Sequence, residues 1–184
     1  MRLWSTAWRN GEPLPARHAR ARCAEDGRLV AADNLSPPLA WSGLPPGTRS
    51  LVLLALDFDA LAPNATAQAT AQALAQRSTP APGHEWPVDA PRHEQVHWLL
   101  VNLPAGEAQL AEGQPGYDGP QPPANDALVH HLVFALYALA VERLQVDDRC
   151  TPAQLRQAMA GLVLGSATHS GTYTLNWRLI GQAA

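Results

Sequence analysis

The chain has no lysine: all 13 of its basic residues, among 184, are arginine. Lysine Schiff-base chemistry and the P-loop lysine are therefore excluded. Charge of either sign is scarce. Asp, Glu, Lys and Arg make up 16% of the chain and the net charge is −3. No basic footprint for nucleic acid exists. Cysteine is nearly absent as well. Cys23 and Cys150 lie far apart, match no metal or redox spacing, and read as buried or incidental thiols. Long apolar runs are missing. The longest, Leu132–Val141, is ten residues, half of what a bilayer span needs. Met1 to Cys23 carries Arg2, Arg9, Arg17, Arg20 and Arg22 and no apolar stretch of the secretory kind. These absences lead us to expect one soluble, cytoplasmic domain over residues 1–184, with no integral membrane association.

What the sequence does have is punctuation. Its 17 prolines and 13 glycines are spread along the chain, which favours many short elements and frequent turns over a helical bundle. Leu39-Ala40-Trp41 is a short strand candidate between two Pro-rich turns. Leu51–Leu56 is a continuous apolar run and reads as a strand buried on both faces. It ends in Asp57-Phe58-Asp59. Ala60–Gln76, rich in Ala and Gln, reads as a loop with a weak surface helix. Ser78–Pro91 reads as a loop. His97–Leu103 is the next strand, and His130 opens the longest one. Thr151–Gly161 is the clear helix, with an N-cap threonine, Pro152 at the first helical position, and Gly161 suited to the C-cap. Gly171–Leu179 reads as a closing strand. The expected class is mainly β.

The candidate chemistry is positional. Asp57 ends one apolar strand, while His97 and His130 begin two others. If the first strand is antiparallel to both, all three polar residues meet at one end of one sheet. Asp59, two residues on, would share the face of Asp57, with Phe58 opposite. The Gly116–Pro123 loop leads back toward His130 and would wall the site. Such a convergence of Asp and His makes a small polar pocket. Metal ligation by two His and a carboxylate is a lesser reading, because no His-x-His pair exists and the adjacent His130 and His131 point to opposite faces of a strand. A Ser-His-Asp hydrolase is weaker still without a Gly-x-Ser-x-Gly elbow. The third reading is an anion pocket, in which imidazole and backbone N–H groups donate to a phosphate.

The stretches Asp33-Asn34-Leu35-Ser36-Pro37-Pro38-Leu39-Ala40-Trp41, Asp57-Phe58-Asp59, His97–Pro104, Gly116-Tyr117-Asp118-Gly119-Pro120-Gln121-Pro122-Pro123 and His130–Tyr137 resemble the phosphatidylethanolamine-binding protein family, in its bacterial Raf-kinase-inhibitor-like branch. The order and rough spacing agree from about residue 1 to 181. The resemblance implies a β-sandwich-like fold: a large central sheet, a smaller sheet, and peripheral helices including a C-terminal one. It also implies a cavity for phosphate, phosphorylated headgroups or other small anions. Asp57, His97 and His130 would line that cavity, with Pro122 and Pro123 on the rim. Asp59, Trp98, Tyr117, Gly119 and Gln121 would lie at the pocket's edge. The departures are Phe58 where the family usually has Pro, His131 where Arg is common, Leu132 where an aromatic is frequent, Gln121 at a small-residue position, and a long 60–95 connection.

The expected function is non-enzymatic anion binding, with no catalytic residue, metal or cofactor. The alternative is a protein-interaction regulator of the kinase-inhibitor kind, with an unidentified protein partner. A hydrolase or metalloenzyme is the minority reading. A homodimer is a further expectation, with Trp4, Trp8 or Trp86 as interface candidates.

Overall fold

The structure is a computed structural model, and it describes residues 1–62, 85–147 and 149–180. Among these residues the elements run β1 (Arg2–Ser5), a 3-10 helix (Ala16–His18), β2 (Ala21–Cys23), β3 (Leu29–Ala31), β4 (Leu39–Ser42), β5 (Ser50–Leu61), β6 (Arg92–Pro104), β7 (Gln109–Leu110), β8 (His130–Leu139), α1 (Pro152–Met159), β9 (Val163–Tyr173) and α2 (Trp177–Ile180). The large sheet has the order β6-β5-β8-β9, the smaller one β1-β4-β7, and β2 pairs with β3. The mainly β class, the two sheets and the peripheral helices are as expected from the sequence. The surface helix anticipated within Ala60–Gln76 falls largely outside the described residues.

The apolar run Leu51–Leu56 is the middle of the sandwich. Its alternate residues serve two cores, as a strand buried on both faces must. Leu51, Leu53 and Ala55 join Trp98, Leu132, Phe134, Leu136, Leu3, Leu39 and Trp41 between the two sheets. Val52, Leu54 and Leu56 join Leu139, Leu144, Leu155 and Met159 on the other side, under α1. That helix has the cap read from its sequence. The Thr151 side chain accepts from the Gln154 N–H, and Gln154 reaches back to the Thr151 N–H. Ala160 closes the helix, and Gly161, one residue on, takes φ +74°.

Four sequence expectations need correction. The longest strand is β6, with 13 residues, and not β8, with 10. The closing strand runs Val163–Tyr173 instead of Gly171–Leu179. Asn176 ends it, its side-chain oxygen accepting the Arg178 N–H at 3.1 Å. This local side-chain bond favours a helix start over a ladder, so Trp177–Ile180 turns into α2. The His97 strand begins five residues earlier, at Arg92, so His97 is not at its start. Trp8 is not the surface residue expected: it is buried, with its ring centre 5.5 Å from that of Phe134 and 4.8 Å from that of His169. Cys23 is a free thiol and donates to the Leu175 carbonyl at 3.2 Å. No described helix is long and apolar enough to cross a membrane.

Candidate functional site

β5 is antiparallel to both β6 and β8, so the strand ends that carry the acid and the two imidazoles do converge. Asp57 lies in register with Leu132 of β8. By alternation it shares the inter-sheet face with Leu51, Leu53 and Ala55. His130 shares that face through Leu132 and Phe134. Asp57 and His130 are both buried, and the His130 Nδ1–H donates to Asp57 Oδ2 at 2.6 Å.

His97 arrives by a different device. Ala55 pairs with Trp98 and Leu56 with Val96, which leaves His97 as the extra residue of a β-bulge. A bulge re-aims a side chain that simple alternation would send elsewhere. Both His97 and its neighbour Trp98 are therefore buried. The His97 Nδ1–H donates to the Asp118 carbonyl at 2.5 Å, and the Asp118 N–H donates back to the His97 carbonyl at 2.8 Å. With Nδ1 so committed, His97 Nε2 stands 4.0 Å from Asp57 Oδ2. It is buried with no hydrogen-bond partner.

The Gly-Pro loop holds this arrangement from behind. The Tyr117 hydroxyl donates to the His18 carbonyl at 2.6 Å. The Gly119 N–H donates to Asn34 Oδ1 at 2.7 Å. A Cβ at Gly119 would collide with the His18 carbonyl oxygen and with Asn34 Oδ1, so only glycine lets the loop lie this close. Trp98 Nε1 donates to the Pro115 carbonyl at 3.1 Å, and its ring packs edge-on against Tyr117. Trp98, Tyr117 and Gly119 thus brace the loop. Pro122 is buried, while Gln121 is exposed. The Pro123 carbonyl accepts the Asp126 N–H at 3.0 Å, which starts the next turn.

Asp59 does not join the buried cluster as alternation predicts. The register shifts between Asp57 and Ala60. The Asp59 carboxylate instead accepts the His131 N–H and lies 2.8 Å from His131 Nδ1, on the exposed side. Its backbone N–H still donates to Asp57 Oδ1 at 2.7 Å. Phe58 points outward and is 43% exposed.

Two members of the cluster escape a reading of the sequence. Asp126 is fully buried, and its Oδ2 lies 3.0 Å from His130 Nε2. Arg92 clamps the same carboxylate with two donors, Nη1 to Oδ2 at 2.5 Å and Nη2 to Oδ1 at 3.0 Å. The one signal in the sequence is spacing: Asp126 stands four residues before His130, just after the Pro-Pro rim. Trp86 belongs to the same corner, for its backbone bonds to Asn125 and Ala127. Trp86 Nε1 and Arg92 Nε are buried N–H groups without acceptors.

The electrostatics follow from these partners. A carboxylate can only accept, so His130, with one on each ring nitrogen, is an imidazolium donating from both. Burial opposes that charge, but the bonds to Asp126 and Asp57, and the charge of both, raise the His130 pKa to about 9. For Asp57, burial pushes the carboxyl up. The His130 bond, the His97 ring, the His130 charge and the Asp59 N–H outweigh it and hold the group well below the usual carboxylate range. Asp126 is held low in the same way, burial being outweighed by His130 and Arg92.

A stability profile is expected from these shifts. The folded pKa of His130 lies above the 6.5 of a free ring. Its contribution is then complete below about pH 6.5 and is lost as pH rises through about 9. The two acids contribute above the ordinary carboxyl pKa, about pH 4, and lose their contribution as pH falls below it. Stability should therefore plateau between about pH 4 and 6.5. The alkaline loss amounts to about 3 kcal/mol, or a fall in Tm of roughly 5–10 °C between pH 6.5 and 9.5. Thermal melts followed by circular dichroism check this, and His130→Gln should flatten the alkaline limb.

A family model described as Phosphatidylethanolamine-binding protein matches residues 4–75 and 87–174. The chain is 30% identical over 175 residues to the protein YbhB of Escherichia coli, a match covering 84% of this chain and 88% of YbhB. It is similar to the crystal structure of a phosphatidylethanolamine-binding protein homologue from Chlamydia trachomatis. There the TM-score is 0.66 at 26% identity, over 94% of this chain and 95% of that one. Escherichia coli YbcL, described as a new member of the mammalian family of that kind, has the same fold. Its TM-score is 0.66 at 22% identity, over 94% and 97% of the two chains.

Proposed function

The chain belongs to the phosphatidylethanolamine-binding protein family, and from that premise we propose that it is a non-enzymatic binder of small phosphoryl anions at the Asp57–His97–His130 cluster. One observation carries this reading: His97 Nε2 is buried, faces the cluster and has no partner. A buried polar atom of this kind is costly to leave unmade and asks for a ligand atom. Two further buried N–H groups nearby, Arg92 Nε and Trp86 Nε1, lack acceptors. Both can only donate, which favours an oxygen-rich ligand over an amine. Among the described residues no Ser, Thr or Cys side chain is hydrogen-bonded to the cluster, and we read the rings and the acids as binding groups.

The protonation logic gives the test. Because Nδ1 donates to the Asp118 carbonyl, Nε2 carries a hydrogen only when the His97 ring is doubly protonated. The doubly protonated ring is the form that donates to an anion docked there. Calorimetry with phosphoethanolamine and with sulfate, whose charge is constant between pH 6 and 8, tests this. Sulfate should bind more tightly at pH 6, with affinity falling by up to about tenfold per pH unit as pH rises, the limit for one coupled proton. Heats in buffers of different ionisation enthalpy should show proton uptake. No heat from either ligand at either pH would remove the anion site.

A further inference from the structure

Resting on that anion-site reading, we infer that the Asp126–Arg92 pair makes the site selective for phosphomonoester dianions, with the Asp126 carboxylate acting as a built-in occupant that a ligand must replace. The argument starts from His130. Both of its ring nitrogens already face carboxylates, Nδ1 at 2.6 Å from Asp57 and Nε2 at 3.0 Å from Asp126. No N–H of this ring is left for an incoming anion. The Asp57 side is locked from within the sheet by strand register. The Asp126 side is a turn residue on the loop between the Pro-Pro rim and β8.

An anion that reaches His130 therefore stands where Asp126 Oδ2 stands now. The same displacement frees one N–H on each of the two Arg92 nitrogens that clamp Asp126, while their other hydrogens stay on the Asp59 and Pro87 carbonyls. Arg92 Nε, buried without an acceptor, is a third donor on the same guanidinium. A planar guanidinium beside an imidazolium is a phosphate-type recognition set.

Charge then decides which anions succeed. In the resting cluster Asp57 and Asp126 carry two negative charges, and His130 and Arg92 carry two positive ones. A phosphodiester brings one negative charge. It would swap a tethered carboxylate for an untethered anion of equal charge, and the tethered group wins by its high effective concentration. A phosphomonoester dianion brings a second charge against the same two cations and meets more donors with its extra oxygens. The plain alternative is that Asp126 and Arg92 only fasten the loop to β6, which predicts no such discrimination.

The test compares phosphoethanolamine with glycerophosphoethanolamine, the same headgroup as monoester and diester, by calorimetry at pH 7.5. The wild type should bind the monoester at least tenfold more tightly. In Asp126→Asn, which keeps the side-chain shape without the charge, diester affinity should rise at least tenfold and the preference should shrink. Equal binding of the two by wild type, or an Asp126→Asn variant unchanged in both affinities, overturns the selectivity while leaving the anion site standing. Binding of neither compound, with or without Asp126, overturns the site and the selectivity together. The wild-type comparison needs no variant, so it decides the matter even if Asp126→Asn does not fold.

Discussion

Replacing Asp57 with alanine is expected to destabilise the fold by about 4 kcal/mol, the range found when one partner of a buried ion pair is removed. Asp57 is 3% exposed. Its two oxygens receive the His130 Nδ1–H at 2.6 Å and the Asp59 N–H at 2.7 Å. Alanine leaves the imidazolium and that N–H without acceptors in a place water does not reach. Asp57→Asn should cost distinctly less, because an amide oxygen can still accept from His130. The asparagine variant should also lose part of the alkaline decline in stability, since His130 then has one carboxylate in place of two. Denaturant titrations of both variants at pH 6 check the order. An alanine variant within about 1 kcal/mol of wild type would mean the buried network does not hold this end of the sheet.

His97→Gln is expected to weaken binding of sulfate or phosphoethanolamine by roughly 30-fold at pH 6. That corresponds to about 2 kcal/mol, the value of a hydrogen bond between charged partners. The glutamine amide can still donate to the Asp118 carbonyl in place of Nδ1. The loop therefore keeps its tether and the fold should survive. What disappears is the cationic N–H at the Nε2 position, and with it the proton uptake. The two readouts separate a binding role from a bracing one. A bracing role would move the melting temperature and leave the pH dependence of binding intact.

How far the sequence could be read depended on whether a residue's place follows from alternation. Asp57 and His130 follow from it: an apolar run stops at an acid, another starts at a histidine, and antiparallel pairing does the rest. His97 was found through its position and its resemblance to family members, but the physical reason differs. It sits five residues into β6 and reaches the cluster because a bulge adds one residue there. Nothing in Val96-His97-Trp98 announces a bulge. Asp59 fails for the same kind of reason, since an irregularity in β5 after Asp57 turns its carboxylate to His131. Asp126 and Arg92 were not visible because they come from loop and strand ends 34 residues apart and meet only when the sheet closes. The misread closing strand at Gly171–Leu179 shows how one polar residue, Asn176, overrides the strand preference of its neighbours.

The most direct measurement is nitrogen NMR of the His97 ring in the wild-type protein during a sulfate titration at pH 7.5. The account predicts that Nδ1 stays protonated throughout, donating to the Asp118 carbonyl, and that Nε2 carries the shift of a protonated nitrogen once sulfate saturates. A calorimetrically bound sulfate that leaves Nε2 unprotonated would contradict it and place the anion away from His97.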